Sequence, residues 1–239
     1  MQNQFDRGAV RPTSFAQTEI AQYMSRVYGW MTLGIAMSSL VAWWTANNTD
    51  FTLMLLQNRN SFLGIVLVQF ALVMVLSFAI NRINSFVAAV LYFLYAALTG
   101  VTLSILFFAY TQQSLFSVFF VTALAFAGLS SFGYITKRDL GPIGSFCMMA
   151  LFGLVAYGLL SMFFPSIMGE TGSMIYSVGG VLIFSGLTAY DTQMIKAQYV
   201  SGSAATDMAR KGAIFGALRL YLDFINLFMS LLRLTGRRR

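Results

Sequence analysis

This sequence of 239 residues has no histidine and only one cysteine, Cys147. A lone cysteine excludes an internal disulfide and a cysteine-based metal site. Because histidine is the side chain that ordinarily titrates near neutral pH, any response to pH has to come from carboxyl groups in an altered environment. Neither an ATP-binding loop nor a zinc motif occurs in the chain. We therefore expect a protein that is not an enzyme and that holds no cofactor.

Charged residues are also scarce. They make up 10% of the chain, against 58% hydrophobic residues, whereas an average soluble domain has about 25% charged residues. A helix that crosses a membrane needs about 20 mainly apolar residues. Charge-free stretches on this scale recur along the chain, at 27–49, 60–81, 83–136, 140–169 and 171–190. This pattern predicts a helical protein that crosses a membrane several times.

The charge-free stretches resolve into seven hydrophobic segments if the longest is broken once, at the polar sequence "TQQS" of residues 111–114. The segments cover residues 27–46, 61–80, 86–109, 115–135, 143–164, 174–195 and 212–232. We predict an all-α integral membrane protein whose residues 27–239 form seven transmembrane helices and a short basic C-terminal tail. Residues 1–26 are polar and lack the apolar core of a signal peptide, so we predict a cytoplasmic tail there.

Basic residues predict the orientation of the chain. The net charge of +7 does not indicate nucleic-acid binding, because Lys and Arg lie mostly between and beyond the hydrophobic segments. Cytoplasmic loops are rich in these residues, and a cytoplasmic N-terminus places nine of them inside and only Arg59 in the outer loops. The nine are Arg7, Arg11, Arg26, Arg82, Lys137, Arg138, Lys196, Arg210 and Lys211. The C-terminal arginines obey the rule only if the seventh segment is re-entrant, whereas its length favours a full span.

Two acidic residues, Asp191 and Asp223, lie inside hydrophobic segments. A charged side chain at the centre of a bilayer costs from roughly 2.5 kcal/mol upward, and such residues usually face a packed interior or a wet cavity. Small and polar residues share a helix face with each acid: Ser177, Gly180 and Thr188 with Asp191, and Gly212, Gly216, Arg219, Asn226 and Ser230 with Asp223. The simpler alternative is local pairing, of Asp223 with Arg219 and of Asp191 with Lys196.

The two acid-bearing motifs are specific enough to indicate a family. The sequences "GLTAYDTQMIK" at 186–196 and "LYLDFINLFMSLLRL" at 220–234 closely resemble the Bax inhibitor-1 family. Weaker similarity covers "YGWMTLG" at 28–34, "LYAALTG" at 94–100 and "YITKRDL" at 134–140. The resemblance extends over nearly all of the chain past residue 20. Within the family, the sequence looks most like a member from a bacterial inner membrane.

The resemblance implies a fold and a function. The family fold has a central seventh helix wrapped by two layers of three helices. Family members leak calcium in a pH-sensitive way, through a gate made of two aspartates that match Asp191 and Asp223. An arginine near the cytoplasmic end of helix two is a gate partner in the family, and Arg82 matches it by position only. Arg219 is a second candidate partner; it lies just before the second motif and is not taken from the resemblance, and its charge could lower the affinity of the pair for cations.

The chemistry of two adjacent carboxyl groups fits such a gate. Held within hydrogen-bond reach, both cannot easily ionise, so they share one proton and act as a pH sensor. Loss of that proton leaves two charges that repel each other, attract an arginine or bind a divalent cation. Calcium usually takes about six to eight oxygen ligands, so Asp191 and Asp223 with Thr188, Asn226 and water would form only a weak site. Weak binding suits an ion path, because the ion must be able to leave.

Two other functions remain open from the residues. An intramembrane aspartyl protease would use Tyr190-Asp191, but its second motif, G-x-G-D, is replaced by "LYLD" at 220–223. A regulator of a membrane-bound AAA protease, a role associated with some bacterial relatives, would act through the polar N-terminal tail. The predicted partners are thus the lipid bilayer, calcium ions and, in the second alternative, an AAA protease.

Overall fold

The computed structural model describes residues 14–48, 59–80, 82–199 and 206–239. Seven long helices hold most of these residues: α1 (Ser14–Asn47), α2 (Arg59–Phe78), α3 (Ser85–Leu103), α4 (Gln112–Ile135), α5 (Gly141–Phe163), α6 (Glu170–Ala197) and α7 (Asp207–Thr235). A one-turn helix, Leu106–Ala109, extends α3, and a 3-10 turn, Pro165–Met168, precedes α6. The only β pairing within the described residues is an isolated bridge between Tyr110 and Arg238.

The helices coincide with the seven predicted hydrophobic segments. Among the described residues, α3 with its extension and α4 to α7 make five helices long and apolar enough to cross a membrane, and α2 contains a shorter apolar run, Leu63–Phe78. The prediction of an all-α membrane protein is therefore confirmed. α1 begins well before residue 27, and Tyr23 and Met24 are buried in the core. Part of the predicted tail is thus packed against the bundle, and residues 1–13 lie outside the described residues.

Polar residues between the hydrophobic segments determine where several helices begin. Asn84, Thr111 and Thr206 are the N-caps of α3, α4 and α7. The side chain of each accepts a hydrogen bond from a backbone N–H of the first turn, which has no partner within the helix. The break predicted at "TQQS" is therefore a capped helix start, which follows the extended residue Tyr110.

α7 is the most buried of the five candidate spans. Within its most apolar 18 residues, 61% are buried, compared with 11% in the corresponding part of α5. α7 packs against α1, α3, α4 and α6, whereas α2 packs mainly on α3 and α5 mainly on α6. Because other helices surround it, α7 can carry polar side chains that are shielded from lipid.

Two hydrogen bonds show which helix ends lie together at the end of the bundle where α1 begins. The Tyr199 hydroxyl, just after α6, donates to Glu19 Oε2 near the start of α1 at 3.3 Å. The Ser85 backbone N–H, at the start of α3, donates to Asp207 Oδ1 at the start of α7 at 3.2 Å. The beginnings of α1, α3 and α7 and the end of α6 therefore share one end of the bundle.

The C-terminal tail lies at the opposite end. Thr111 N–H donates to the Arg237 carbonyl at 3.2 Å, and Arg239 N–H donates to the Ala109 carbonyl at 3.1 Å. These bonds fasten the tail to the connection between α3 and α4. α7 itself is one unbroken helix of 29 residues, about 43 Å long. The helix runs from one end of the bundle to the other, so the re-entrant alternative does not fit the structure.

We expect the two termini to lie on opposite sides of the membrane. A green fluorescent protein fused to the N-terminus should fluoresce in the cytoplasm, and alkaline phosphatase fused after Arg239 should be active outside it. As a control, phosphatase fused after Thr206, before α7, should be inactive. Phosphatase activity at Thr206 but not at Arg239 would contradict this orientation.

α4 and α6 approach each other closely at a glycine. A Cβ added at Gly133 of α4 would collide with the backbone carbonyl of Ala189 in α6. A backbone atom cannot move aside as a flexible side chain can. This contact fixes the position of α6 two residues before Asp191.

Gly133→Ala should therefore destabilise the protein by about 1–3 kcal/mol, the usual cost of overpacking a core. Gly128→Ala is the matched control on the same helix, because no atom lies within 4 Å of a Cβ added there. Alanine is favoured over glycine inside a helix by about 1 kcal/mol, so the control should be neutral or slightly stabilising. Thermal unfolding in detergent measures both variants, and equal midpoints would contradict the close α4–α6 contact.

Candidate functional site

Small residues bring α6 and α7 together along the two faces predicted from the sequence. Ser177, Gly180, Thr188 and Asp191 are all buried on α6. A Cβ at Gly180 would collide with Ser230 of α7. At the other end of the contact, a Cβ at Gly216 of α7 would lie 3.0 Å from Ile195 Cγ2 of α6, as tight as such contacts become.

Both aspartates are buried and line the same cavity. Asp191 is 6% exposed and Asp223 is 4% exposed. The cavity has a volume of about 350 Å³. Its other polar lining residues are Ser77, Tyr176, Arg219 and Asn226. Apolar side chains from α5, α6 and α7 complete its walls. The structure therefore brings Asp191, Asp223, Arg219 and Asn226 of the predicted site into one place.

Arg219 pairs with Asp191 across the two helices. Its Nη2 lies 3.0 Å from Asp191 Oδ1, and the Arg219 side chain is 25% exposed. The contact is an ion pair without the alignment of a hydrogen bond, since Asp191 Oδ1 has no hydrogen-bond partner. The local alternative predicted from the sequence, in which Arg219 pairs with Asp223, is therefore wrong. Helical spacing allowed that pairing, but the close α6–α7 contact presents Asp191 to the guanidinium instead.

Lys196 does not form an ion pair with Asp191 either. Its Nζ donates to the Tyr134 carbonyl at 2.7 Å and lies 4.5 Å from the centre of the Tyr134 ring. The last carbonyls of a helix have no partners within that helix, and Lys196 satisfies one of them at the end of α4. The lysine thus joins α6 to α4, and both local pairs considered from the sequence are wrong.

Asp223 has a buried oxygen with no hydrogen-bond donor. Its Oδ2 is inaccessible to solvent and unpaired in the structure. A buried polar atom without a partner costs about 1–3 kcal/mol, and more if it is charged. Such an atom gains from a proton, a water molecule or a cation that enters the cavity. The proton shared between the two carboxyl groups remains a prediction.

Arg82 and Thr188 lie apart from this cavity. Arg82 is exposed in the loop between α2 and α3 and forms no ion pair with either aspartate. The Thr188 hydroxyl donates to the Phe184 carbonyl at 2.7 Å, and the cavity side of α6 is formed by Phe184, Leu187 and Asp191. Thr188 therefore lies on the neighbouring face of α6, outside the lining of the cavity. Its role on an ion path is not supported in this conformation.

A chain of hydroxyl groups anchors α6 beside Asp191. The Tyr28 hydroxyl lies 2.6 Å from Ser130 Oγ, which lies 2.9 Å from Thr192 Oγ1. These bonds join α1, α4 and α6. A second bond of 2.6 Å joins the Tyr221 hydroxyl of α7 to Ser38 of α1. The sequence analysis missed these residues; their only signal was a hydroxyl group within a hydrophobic segment.

The site contains only two acidic side chains. No group of three or more Asp, Glu, Cys or His residues comes together in the part of the chain that the structure describes. Asn226 adds an amide at the cavity, and its Nδ2 donates to the Leu222 carbonyl at 2.8 Å. This donor set does not fit a tightly held metal ion. It fits at most a weak cation site.

Known proteins resemble this chain along nearly all of its length. Residues 20–239 match the family described as "Inhibitor of apoptosis-promoting Bax1". The inner membrane protein YbhL of Escherichia coli strain K12 is 44% identical over 231 residues, which cover 96% of each chain. A protein of Borreliella burgdorferi is 42% identical over 218 residues, 91% of this chain and 93% of its own.

A membrane protein of Streptococcus pyogenes is 36% identical over 228 residues, 93% of this chain and 96% of its own. Both aspartate-bearing helices lie within the residues that match the family. The resemblance noted in the sequence is confirmed, and this chain belongs to the Bax inhibitor-1 family of membrane proteins.

Proposed function

We propose that this protein is a pH-sensitive calcium leak channel of the bacterial inner membrane, gated by Asp191 and Asp223. The observation that carries the proposal is that both buried carboxyl groups line one cavity together with a single guanidinium group. Membership of the family and the inner-membrane relative support the location. Calcium is the transported ion in this proposal, and no resident cofactor takes part.

In the proposed architecture all seven helices cross the membrane and α7 is central. The contacts support two layers around it, one of α1, α2 and α3 and one of α4, α5 and α6. The N-terminus is cytoplasmic in this proposal, because the end of the bundle where α1 begins also holds the basic residues of the described loops. Asp191 lies six residues before the end of α6, so the gate is nearer to the cytoplasmic face.

Charge controls the gate. With both aspartates ionised, Arg219 leaves the cavity with a net charge of about −1, and one added proton makes it neutral. Calcium can reach both carboxylates only if the guanidinium leaves Asp191, because the ion pair occupies Oδ1. Arg219 is thus a built-in competitor of the transported cation, and this conformation is the closed state of the channel.

Protonation is the proposed switch. Two coupled acids at one cavity titrate as a unit, and each proton changes the charge next to Arg219. Protonation weakens the repulsion between the carboxylates, and it also weakens their attraction for calcium. These effects oppose each other, so the decisive property is the presence of a pH dependence that requires both acids.

Asp191→Asn and Asp223→Asn should each remove most of the pH dependence of calcium leak. The double variant should resemble the single variants, because each change destroys the same coupled unit. The measurement is calcium flux into liposomes that contain only the purified protein, scanned across pH. Glu170→Gln is the matched control, since it removes an exposed carboxyl group at the start of α6.

The outcomes separate the proposed functions. A normal pH profile in Asp191→Asn would show that Asp191 is structural and would overturn the aspartate gate. Folded wild-type protein that passes no calcium at any pH would overturn the leak itself. That second result would favour the regulator of an AAA protease, which should then be captured through the N-terminal residues.

Arg219→Gln should raise the calcium leak about tenfold at a fixed calcium concentration. This factor corresponds to about 1.4 kcal/mol, which is less than the several kcal/mol typical of breaking a buried ion pair. Asp191→Asn combined with Arg219→Gln should lose the increase, because the competition acts through Asp191. Arg138→Gln, in an exposed loop, controls for the loss of a positive charge.

Arg82→Gln distinguishes the two candidate gate partners. Because Arg82 is exposed and forms no ion pair with either acid in the closed conformation, the basal leak should stay unchanged when it is replaced. An increase in Arg82→Gln without one in Arg219→Gln would show that Arg82 is the countercharge of the closed gate.

A further inference from the structure

A second polar cavity opens at the N-terminal end of the bundle, away from the aspartates. It has a volume of about 560 Å³ and lies between α1, α3 and α7. Arg26 of α1, Ser85 of α3 and Arg210 of α7 form its polar lining. Trp30 and Phe86 are prominent in its apolar wall. Two arginines from separate helices thus line one cavity, and Phe86 exposes aromatic surface beside them.

The cavity lies at the level where the charged ends of the helices meet their apolar lengths. Arg26 is the last charged residue before the charge-free stretch 27–49. Arg210 lies two positions before Gly212, where α7 becomes free of charge until Arg219. Trp30 is about one turn deeper than Arg26, and tryptophan is enriched at the membrane interface. In a membrane this is the depth of the lipid headgroups.

We propose that this cavity binds an anionic phospholipid, with its phosphate between Arg26 and Arg210. Guanidinium groups bind phosphate oxygens in pairs of charge-assisted hydrogen bonds. Basic pockets between membrane helices on the cytoplasmic side suit such headgroups. The acyl chains would run along Phe86, which is 74% exposed, and along the outer surface of α3.

Asp207, which contacts the lining residue Ser85, does not oppose the phosphate strongly. Asp207 Oδ1 accepts the Ser85 N–H at 3.2 Å, and Oδ2 lies 3.5 Å from Lys211 Nζ. Lys211 offsets the charge of Asp207, and the residues that line the cavity include two arginines and no acid. A zwitterionic lipid would place its own cation beside them. The charge therefore selects a headgroup without a cation, such as phosphatidylglycerol.

The test is lipid binding to the purified full-length protein in a neutral detergent, and it does not depend on calcium flux. Phosphatidylglycerol should raise the unfolding midpoint, and one molecule should stay bound in native mass spectrometry. Arg26→Gln and Arg210→Gln should each weaken this binding about tenfold, as expected for a lost hydrogen bond to a charged group. Arg138→Gln, in an exposed loop at the same end of the bundle, should bind like the wild type.

Three results would overturn the site. Phosphatidylcholine that binds as tightly as phosphatidylglycerol would remove the charge selection. Inorganic phosphate that gives the same stabilisation at the same concentration would show a simple anion site without a lipid. Equal weakening in Arg138→Gln and Arg210→Gln would show attraction by the whole basic face. If Arg26→Gln does not fold, Arg210→Gln and the charge-retaining Arg210→Lys decide the question.

Discussion

The ion pair between Arg219 and Asp191 depends on two helices that small residues hold in close contact. Taking such charges out of water costs several kcal/mol each, and their attraction repays this only when the geometry is good. Gly180 and Gly216 allow α6 and α7 to approach closely enough for that geometry. Because other helices surround α7 and Asp191 is buried, the ion pair lies within the bundle. The charged cavity therefore depends on the close contact between α6 and α7.

The helices could be predicted from the sequence because membrane helices need little more than length and hydrophobicity. Every predicted segment overlaps a helix, and the break inside the longest apolar stretch coincides with a real N-cap at Thr111. The inward faces of α6 and α7 could also be predicted, since polar residues at three- and four-residue steps must avoid lipid. These features depend on local sequence or on the solvent alone.

The partners of the charges could not be predicted in the same way. Arg219 is one turn from Asp223 along the chain but pairs with Asp191 on another helix, which depends on the rotation of α6 against α7. Thr188 shares a predicted stripe with Asp191, yet the cavity is narrower than the stripe and leaves it out. The hydroxyl chain from Tyr28 to Thr192 needs three helices in register. These side-chain contacts depend on how the helices pack, and helical periodicity in a single sequence does not predict that packing.

Backbone hydrogen bonds of the C-terminal tail restrict the movement of α7 along its axis. The C-terminal end of α7 is joined through Arg237 and Arg239 to the connection between α3 and α4, so sliding of α7 along its axis would break those bonds first. Tilting would not. Arg219 lies about 24 Å along the helix from Thr235, so a tilt of about 5° moves it by about 2 Å. That displacement is enough to separate a guanidinium from a carboxylate, so a small tilt of α7 would break the ion pair between Arg219 and Asp191.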